Sequence, residues 1–165
     1  MSTLDLENNL VFVKNAPMLS GLNFRGFRGD SDFPLMVDIV MGCKDEDSLE
    51  RVETAEDIQR GYRHLVNCDP YKDMLFAQID DRVIGYSRVT WHQEGQEKMI
   101  YIHFGFLLPE WRRQGIGRSM LRCNQDRLRQ IAAGHKNGLP RFFDSGAADT
   151  DTAAEALLLS EGFSP

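Results

Sequence analysis

The sequence predicts an α/β (α+β) domain, a mixed, mainly antiparallel, twisted sheet flanked by helices. Three observations carry this. Strand-like patterns follow one another from 74 to 108, interrupted only by Asp80-Asp81 and by 93–97, so three strands should lie side by side and antiparallel. Two helix-start signals, at 30–31 and 54–57, precede those strands. A helical stretch at 119–133 then leads into a short apolar strand at 141–144, a β-α-β crossover that adds one parallel pair.

The elements read in chain order. Residues 9–14 form a short strand or an extended arm. Residues 21–28 alternate apolar and polar and make the first strand. Asp30 or Ser31 caps a helix running to about Gly42, with Pro34 tolerated in its first turn. Thr54 followed by Glu56 and Asp57 opens a second helix, to about Asn67. Residues 74–79 and 82–92 pair as a hairpin, and the third strand ends at Leu108. Gly134 suits the stop of the long helix, and the 149–151 segment caps a last one reaching about Ser160.

Bulk properties narrow the function. The 165 residues suit one domain with a real core. With 42% hydrophobic and 27% charged residues the chain belongs to the soluble globular class. A net charge of −6 argues against a nucleic-acid partner. Cys43, Cys68 and Cys123 show neither metal spacing nor a disulfide framework, which points to a reducing cytoplasm. No apolar run approaches ~20 residues, so no membrane partner is expected. The four histidines lack metal-ligand spacing, and no metal is expected.

The segment from Pro109 to Arg118 carries the chemistry. A strand, a tight basic turn with Gly115 and Gly117, and a helix start together present free N–H groups at the positive end of a helix dipole. That is a site for a phosphate or pyrophosphate, with Arg112, Arg113 and Arg118 adding charge. It is no Walker loop, which needs Gly, four residues, then Gly-Lys-Ser/Thr. It is no dinucleotide turn either, because Met120 stands where a third glycine would. Arg112-x-x-Gly115-x-Gly117 after Leu107-Leu-Pro109 instead resembles the acyl-CoA signature of the GNAT superfamily of N-acetyltransferases. That signature runs roughly Val-x-Pro-x-x-Arg-x-x-Gly-Ile-Gly, and only Leu107 for Val departs from it.

The resemblance covers nearly the whole chain and implies an N-acetyltransferase domain over 1–165. It implies acetyl-CoA or CoA bound by Phe106, Leu107 and Leu108 on the strand and by Arg112, Arg113, Gln114, Gly115, Ile116, Gly117, Arg118 and Ser119 on the turn and helix. The acceptor would be the amine of a small molecule or a protein. A base on the same strand is expected, and the same-face candidates are His103 and Tyr101. The family's usual tyrosine acid has no counterpart, since Leu158 stands at its position, with Asp144, Ser145 and Ser160 nearby. A non-catalytic CoA-binding half of a tandem protein is therefore the alternative reading. The acidic residues Asp45, Glu46, Asp47, Glu50, Glu53, Glu56 and Asp57 form either a rim that steers a cationic amine or a solvated helix face. The family continues after its last Gly-Phe with two more strands, here past Gly162-Phe163. An open sheet edge is expected, or a strand supplied by a tandem second domain or a homodimer partner.

Overall fold

A computed structural model describes residues 9–50, 52–146 and 151–165. One sheet of five strands runs in the order β1-β2-β3-β4-β5, made of β1 (Leu22–Arg25), β2 (Met74–Ile79), β3 (Arg82–Glu94), β4 (Lys98–Leu107) and β5 (Arg141–Asp144). The first four pair antiparallel, and β5 pairs parallel to β4, as the β-α-β reading required. The helices are α1 (Asp32–Cys43), α2 (Ala55–Tyr62), α3 (Pro70–Asp73), α4 (Ile116–Gly134) and α5 (Thr152–Ser160). Among the described residues β5 is the outer strand of an open sheet, and Phe142 on it is half exposed.

The two faces of β3 and β4 have different partners. Tyr86, Arg88, Phe104 and Phe106 face α1 and α2, where Phe27, Phe33 and Tyr62 form an aromatic cluster with Phe76. Ser87, Val89, Tyr101 and His103 face α4, whose buried Ile116, Met120, Asn124 and Leu128 recur every fourth residue. Gly85 and Gly105 sit where β3 and β4 approach most closely. A Cβ on Gly105 would lie 2.8 Å from the Ser87 Cβ and from the Tyr86 carbonyl. Gly105 therefore marks a close backbone approach, and the single register shift in β2–β3 pairing falls between Ala77 and Gln78.

One helix cap and one helix end differ from the sequence reading. Ser31 occupies the N-cap of α1 but makes no side-chain cap; Asp32 instead accepts the Arg28 amide at 2.7 Å. Helix α2 opens on the expected Thr54 capping box with Asp57 but stops at Tyr62. Beyond it, Asn67 takes a left-handed φ of 56° and its side chain donates to the Trp91 carbonyl, drawing the chain onto β3. Pro70 then holds Asp69 extended and starts the short α3, which periodicity did not reveal. Asp151 caps α5 through the Ala154 amide at 2.9 Å; the other expected cap, Asp149, lies outside the described residues.

A buried ion pair locks β1 to α1. Arg25 and Asp32 are each 1% exposed and joined twice, at 2.7 and 3.0 Å. The guanidinium also donates to Gln78 and to the Gly26 carbonyl, and it lies 4.5 Å over the Phe76 ring. With each of the three guanidinium nitrogens hydrogen-bonded, removing one partner strands the other. Asp32→Ala should therefore cost about 3–5 kcal/mol in chemical denaturation, and a loss below about 1 kcal/mol would show that the pair is dispensable.

Candidate active site

The site begins where β4 parts from β5. Parallel pairing ends at Ile102↔Asp144, while β4 continues to Leu107 with β3 alone on its other side. The Leu108 amide donates to the Ile84 carbonyl at 2.9 Å. Antiparallel alternation then turns Phe106 and Leu108 toward β3, and turns the N–H groups of Gly105 and Leu107 toward the gap. The gap is a cleft of about 360 Å³. Its walls are His103, Gly105, Phe106 and Leu107 on β4, the turn before α4, and Ala153, Ala154, Leu157 and Leu158 on α5.

The turn supplies the polar end. Gly115 has φ +88° and Arg113 φ +64°, two left-handed residues within three. A side chain at Gly115 would be strained whatever the space, and the Arg113 conformation itself costs about 1–2 kcal/mol. The first helical hydrogen bond of α4 runs from the Ser119 amide to the Gly115 carbonyl at 3.1 Å. Helix geometry leaves the amides of Ile116, Gly117 and Arg118 without intrahelical acceptors. No acidic residue stands in the first turn of this 19-residue helix, so its positive end is uncompensated there. Gly115 and Gly117 both border the cleft.

The three arginines have three different roles. Arg112 forms a bidentate pair with Asp47, at 2.6 and 2.7 Å, and donates through Nε to the Leu107 carbonyl at 2.8 Å. The Cys43 thiol donates to that same carbonyl, and burial pushes the thiol up to about 11. The sequence reading had Arg112 as free positive charge for an anion; its charge is answered by Asp47. Arg118 pairs with Glu161 at 2.9 Å and reaches Ser160, tying the start of α4 to the end of α5. Hydrogen bonds from Arg122 first, and then the Arg118 charge, hold the Glu161 carboxyl below its ordinary range. Arg113 is exposed at the cleft, with no ion-pair partner among the described residues.

The remaining expected residues separate by position. Phe106 and Leu107 border the cleft, whereas Leu108 is buried beside Gly42. Ile116 is fully buried and presents main chain only, whereas the hydroxyl and the amide of Ser119 both bond the Gly115 carbonyl. The Gln114 side chain donates to the Glu110 carbonyl. His103 borders the cleft, but Tyr101 does not: it is 1% exposed, packed with Val89 and Leu128, and bonded to His135 at 2.7 Å. Two residues along the strand from His103, on the same face, it lies under the far part of α4. Leu158, Ser145 and Ser160 border the cleft, and Asp144 does not. The acidic set divides as well, because Asp47 is held by Arg112 and Asp57 by the α2 capping box and Arg60.

His103 is the titratable group on the cleft wall of β4. The Asn124 amide donates to Ser87 and to His103 Nδ1, at 2.8 and 2.7 Å, leaving the imidazole proton on Nε2. Burial pushes its pKa from 6.5 down to about 4. Protonated first in the unfolded chain and only later in the folded one, this group removes stability as pH falls from 6.5 to about 4, roughly 3 kcal/mol in all. Above pH 6.5 its contribution is constant. The stability difference between the parent and His103→Ala should shrink across that acid window; a difference independent of pH would mean that the imidazole titrates normally.

Comparison with known proteins gives the family and the fold. The model of the acetyltransferase (GNAT) family matches residues 36–158, and the chain belongs to that family. Among solved structures, a GCN5-related N-acetyltransferase from Sphaerobacter thermophilus superposes with a TM-score of 0.74 at 16% identity, over 89% of this chain and 44% of that one. The chain thus spans less than half of that protein's length. The putative acetyltransferase yncA from Salmonella typhimurium, with its cofactor acetyl-CoA, gives 0.64 at 17% identity, over 88% of this chain and 80% of that one. The aminoglycoside N-acetyltransferase AAC(6')-Iy in complex with CoA gives 0.58 at 12% identity, over 91% and 92%. At these identities the structures share the fold. No curated protein sequence gives a significant match. Among the described residues no helix is long and apolar enough to cross a membrane, and no cluster of three or more ligating side chains is suited to a metal ion.

Proposed function

We propose that the protein transfers an acetyl group from acetyl-CoA to the amine of a small molecule or a protein. The observation that carries this is the junction of β4 and α4, where cleft-facing strand amides and unpaired helix amides border one cavity. The amides of residues 114–118 and the Arg113 guanidinium would hold the pyrophosphate. The Gly105 and Leu107 amides would hold the pantetheine and the thioester carbonyl. Acetyl-CoA supplies an activated carbonyl: the amine nitrogen bonds to its carbon, the carbon–sulfur bond breaks, and the thiolate takes up a proton. Neighbours determined with acetyl-CoA and CoA support the donor. The three free thiols fit a cytoplasmic protein.

The chain's own contribution is orientation and polarisation more than proton transfer. His103 with a pKa of about 4 is neutral at pH 7 but a weak base, and its Nδ1 already accepts from Asn124. Its Nε2–H can donate to a water or to the substrate. The acceptor then has to arrive as the free amine. Leu158 gives the departing thiolate an apolar neighbour, so its proton comes from solvent.

Two measurements test this reading. A Cβ on Gly117 would meet Leu157 and Leu107 side chains at 3.5 and 3.9 Å, ordinary contact distances. Gly117→Val should therefore fold yet fill the cleft, and calorimetry should show CoA binding lost; binding equal to the parent's would refute the site. In steady-state assays the ascending limb of kcat/KM against pH should follow the acceptor's own pKa and persist in His103→Ala, with the rate lowered less than about tenfold. Disappearance of the limb in that variant would make His103 the base.

A further inference from the structure

On the opposite face of β4 from His103 lies a positive group with no ion-pair partner among the described residues. Arg88 stands directly across the sheet from Phe104. Its guanidinium is clamped between two rings, 4.8 Å from the Phe104 centroid and 5.1 Å from that of Tyr62. It makes no ion pair with any described residue, and the polar side chain it approaches is the Tyr62 hydroxyl, short of good hydrogen-bond geometry. The Nε is shut from solvent without a well-aligned acceptor, and the Tyr62 hydroxyl, which the Arg88 side chain approaches, is likewise buried without a well-aligned partner. These two orphans belong to one cluster, and buried donors of this kind ordinarily have an acceptor. Burial pushes the Tyr62 phenol up to about 12 against the opposing pull of the Arg88 charge, so the hydroxyl keeps its proton.

The cluster adjoins the cleft. Phe104 packs edge-on to Phe106, at 6.3 Å between centroids, and Phe106 borders the cleft beside the Gly105 amide. Tyr86 fills the angle between the two phenylalanines. A molecule approaching the thioester site at the Gly105 amide from the α1–α2 side would therefore pass along an aromatic wall that ends in a fixed cation. The outer carboxylates of that side, Glu50, Glu53 and Glu56 among them, are exposed and suit the ammonium end of such a molecule.

Resting on the acetyltransferase reading above, we infer that Arg88 and Tyr62 form a carboxylate-binding subsite and that the acceptor is an amine carrying a carboxylate, of amino-acid type. The Nε edge of a guanidinium matches a carboxylate in two parallel hydrogen bonds, and the Tyr62 hydroxyl adds a third donor. The two rings hold the guanidinium plane in place, so little side-chain freedom is lost on binding. A polycationic amine without a carboxylate would leave both donors unanswered and add like charge beside Arg88.

The test is calorimetric titration of the protein, alone and saturated with CoA, with α-, β- and γ-amino acids and their carboxamides. At least one amino acid should bind ten- to a hundredfold more tightly than its carboxamide, the range for charge-assisted hydrogen bonds. Arg88→Gln should erase that preference while leaving CoA binding unchanged, and Arg88→Lys should restore only part of it. Tyr62→Phe, which keeps the ring and the fold, should weaken the carboxylate ligand several-fold and leave the carboxamide unaffected. Absence of any carboxylate preference, or a preference that survives Arg88→Gln, would overturn the subsite. Failure of CoA itself to bind would overturn the acetyltransferase reading instead, and the titrations of the protein alone would still decide the role of Arg88.

Discussion

The Leu107 carbonyl is the fixed point from which the site is built. At the end of β4 it has lost its neighbour β5 and would otherwise face the cleft as an unpaired acceptor. Arg112 Nε donates to it at 2.8 Å and the Cys43 thiol donates to it as well. Asp47, nearly buried, holds the rest of the Arg112 guanidinium. One residue from the turn and one from the end of α1 thus converge on a single oxygen, and one from the loop after α1 holds the first of them in place. With the carbonyl tied back, what β4 offers the cleft at this level is amide N–H, the polarity that an acyl carbonyl needs.

The same clamp settles the electrostatics. A cluster of three arginines would by itself make a diffuse positive patch. Asp47 answers Arg112, and Glu161 is shared between Arg118 and Arg122, so the field at the cleft comes from oriented amides, the start of α4, Arg113 and the part of the Arg118 charge that Glu161 leaves over. Fixed dipoles of this kind need no rearrangement when a ligand arrives. Arg118 and Arg122, both held by Glu161, also fasten α5 to α4. That matters because no residue of α5 is fully buried, and this helix is nonetheless one wall of the cleft.

Much of this was legible in the chain because it depends on local rules. The hairpin at 80–81, the Thr54 capping box, Gly115 at a strand-to-helix turn and the parallel β5 all follow from patterns a few residues long. What was hidden depends on partners far apart in sequence. Arg112 and Asp47 are 65 residues apart, and nothing near either one marks the pairing. His103 and Tyr101 share a face, as strand alternation requires, but the tilt of α4 across the sheet places one at the cleft and the other beneath Leu128 and His135. Which strand amides turn toward the cleft required the register of β3 against β4, and that kept Leu107 and put Gly105 in place of Phe106 and Leu108. Arg88 gave no signal at all, since an arginine in a strand is ordinarily a solvated one.

Amide-resolved NMR during a titration with CoA tests the central claim most directly. If the main chain of the β4–α4 junction is the anion site, the largest shifts fall on the amides of Gln114 to Ser119, with Gly105 and Leu107 following as the pantetheine arm is held. If those amides stay unmoved while CoA perturbs residues elsewhere, or perturbs none, the junction is a structural turn and the cleft belongs to another ligand.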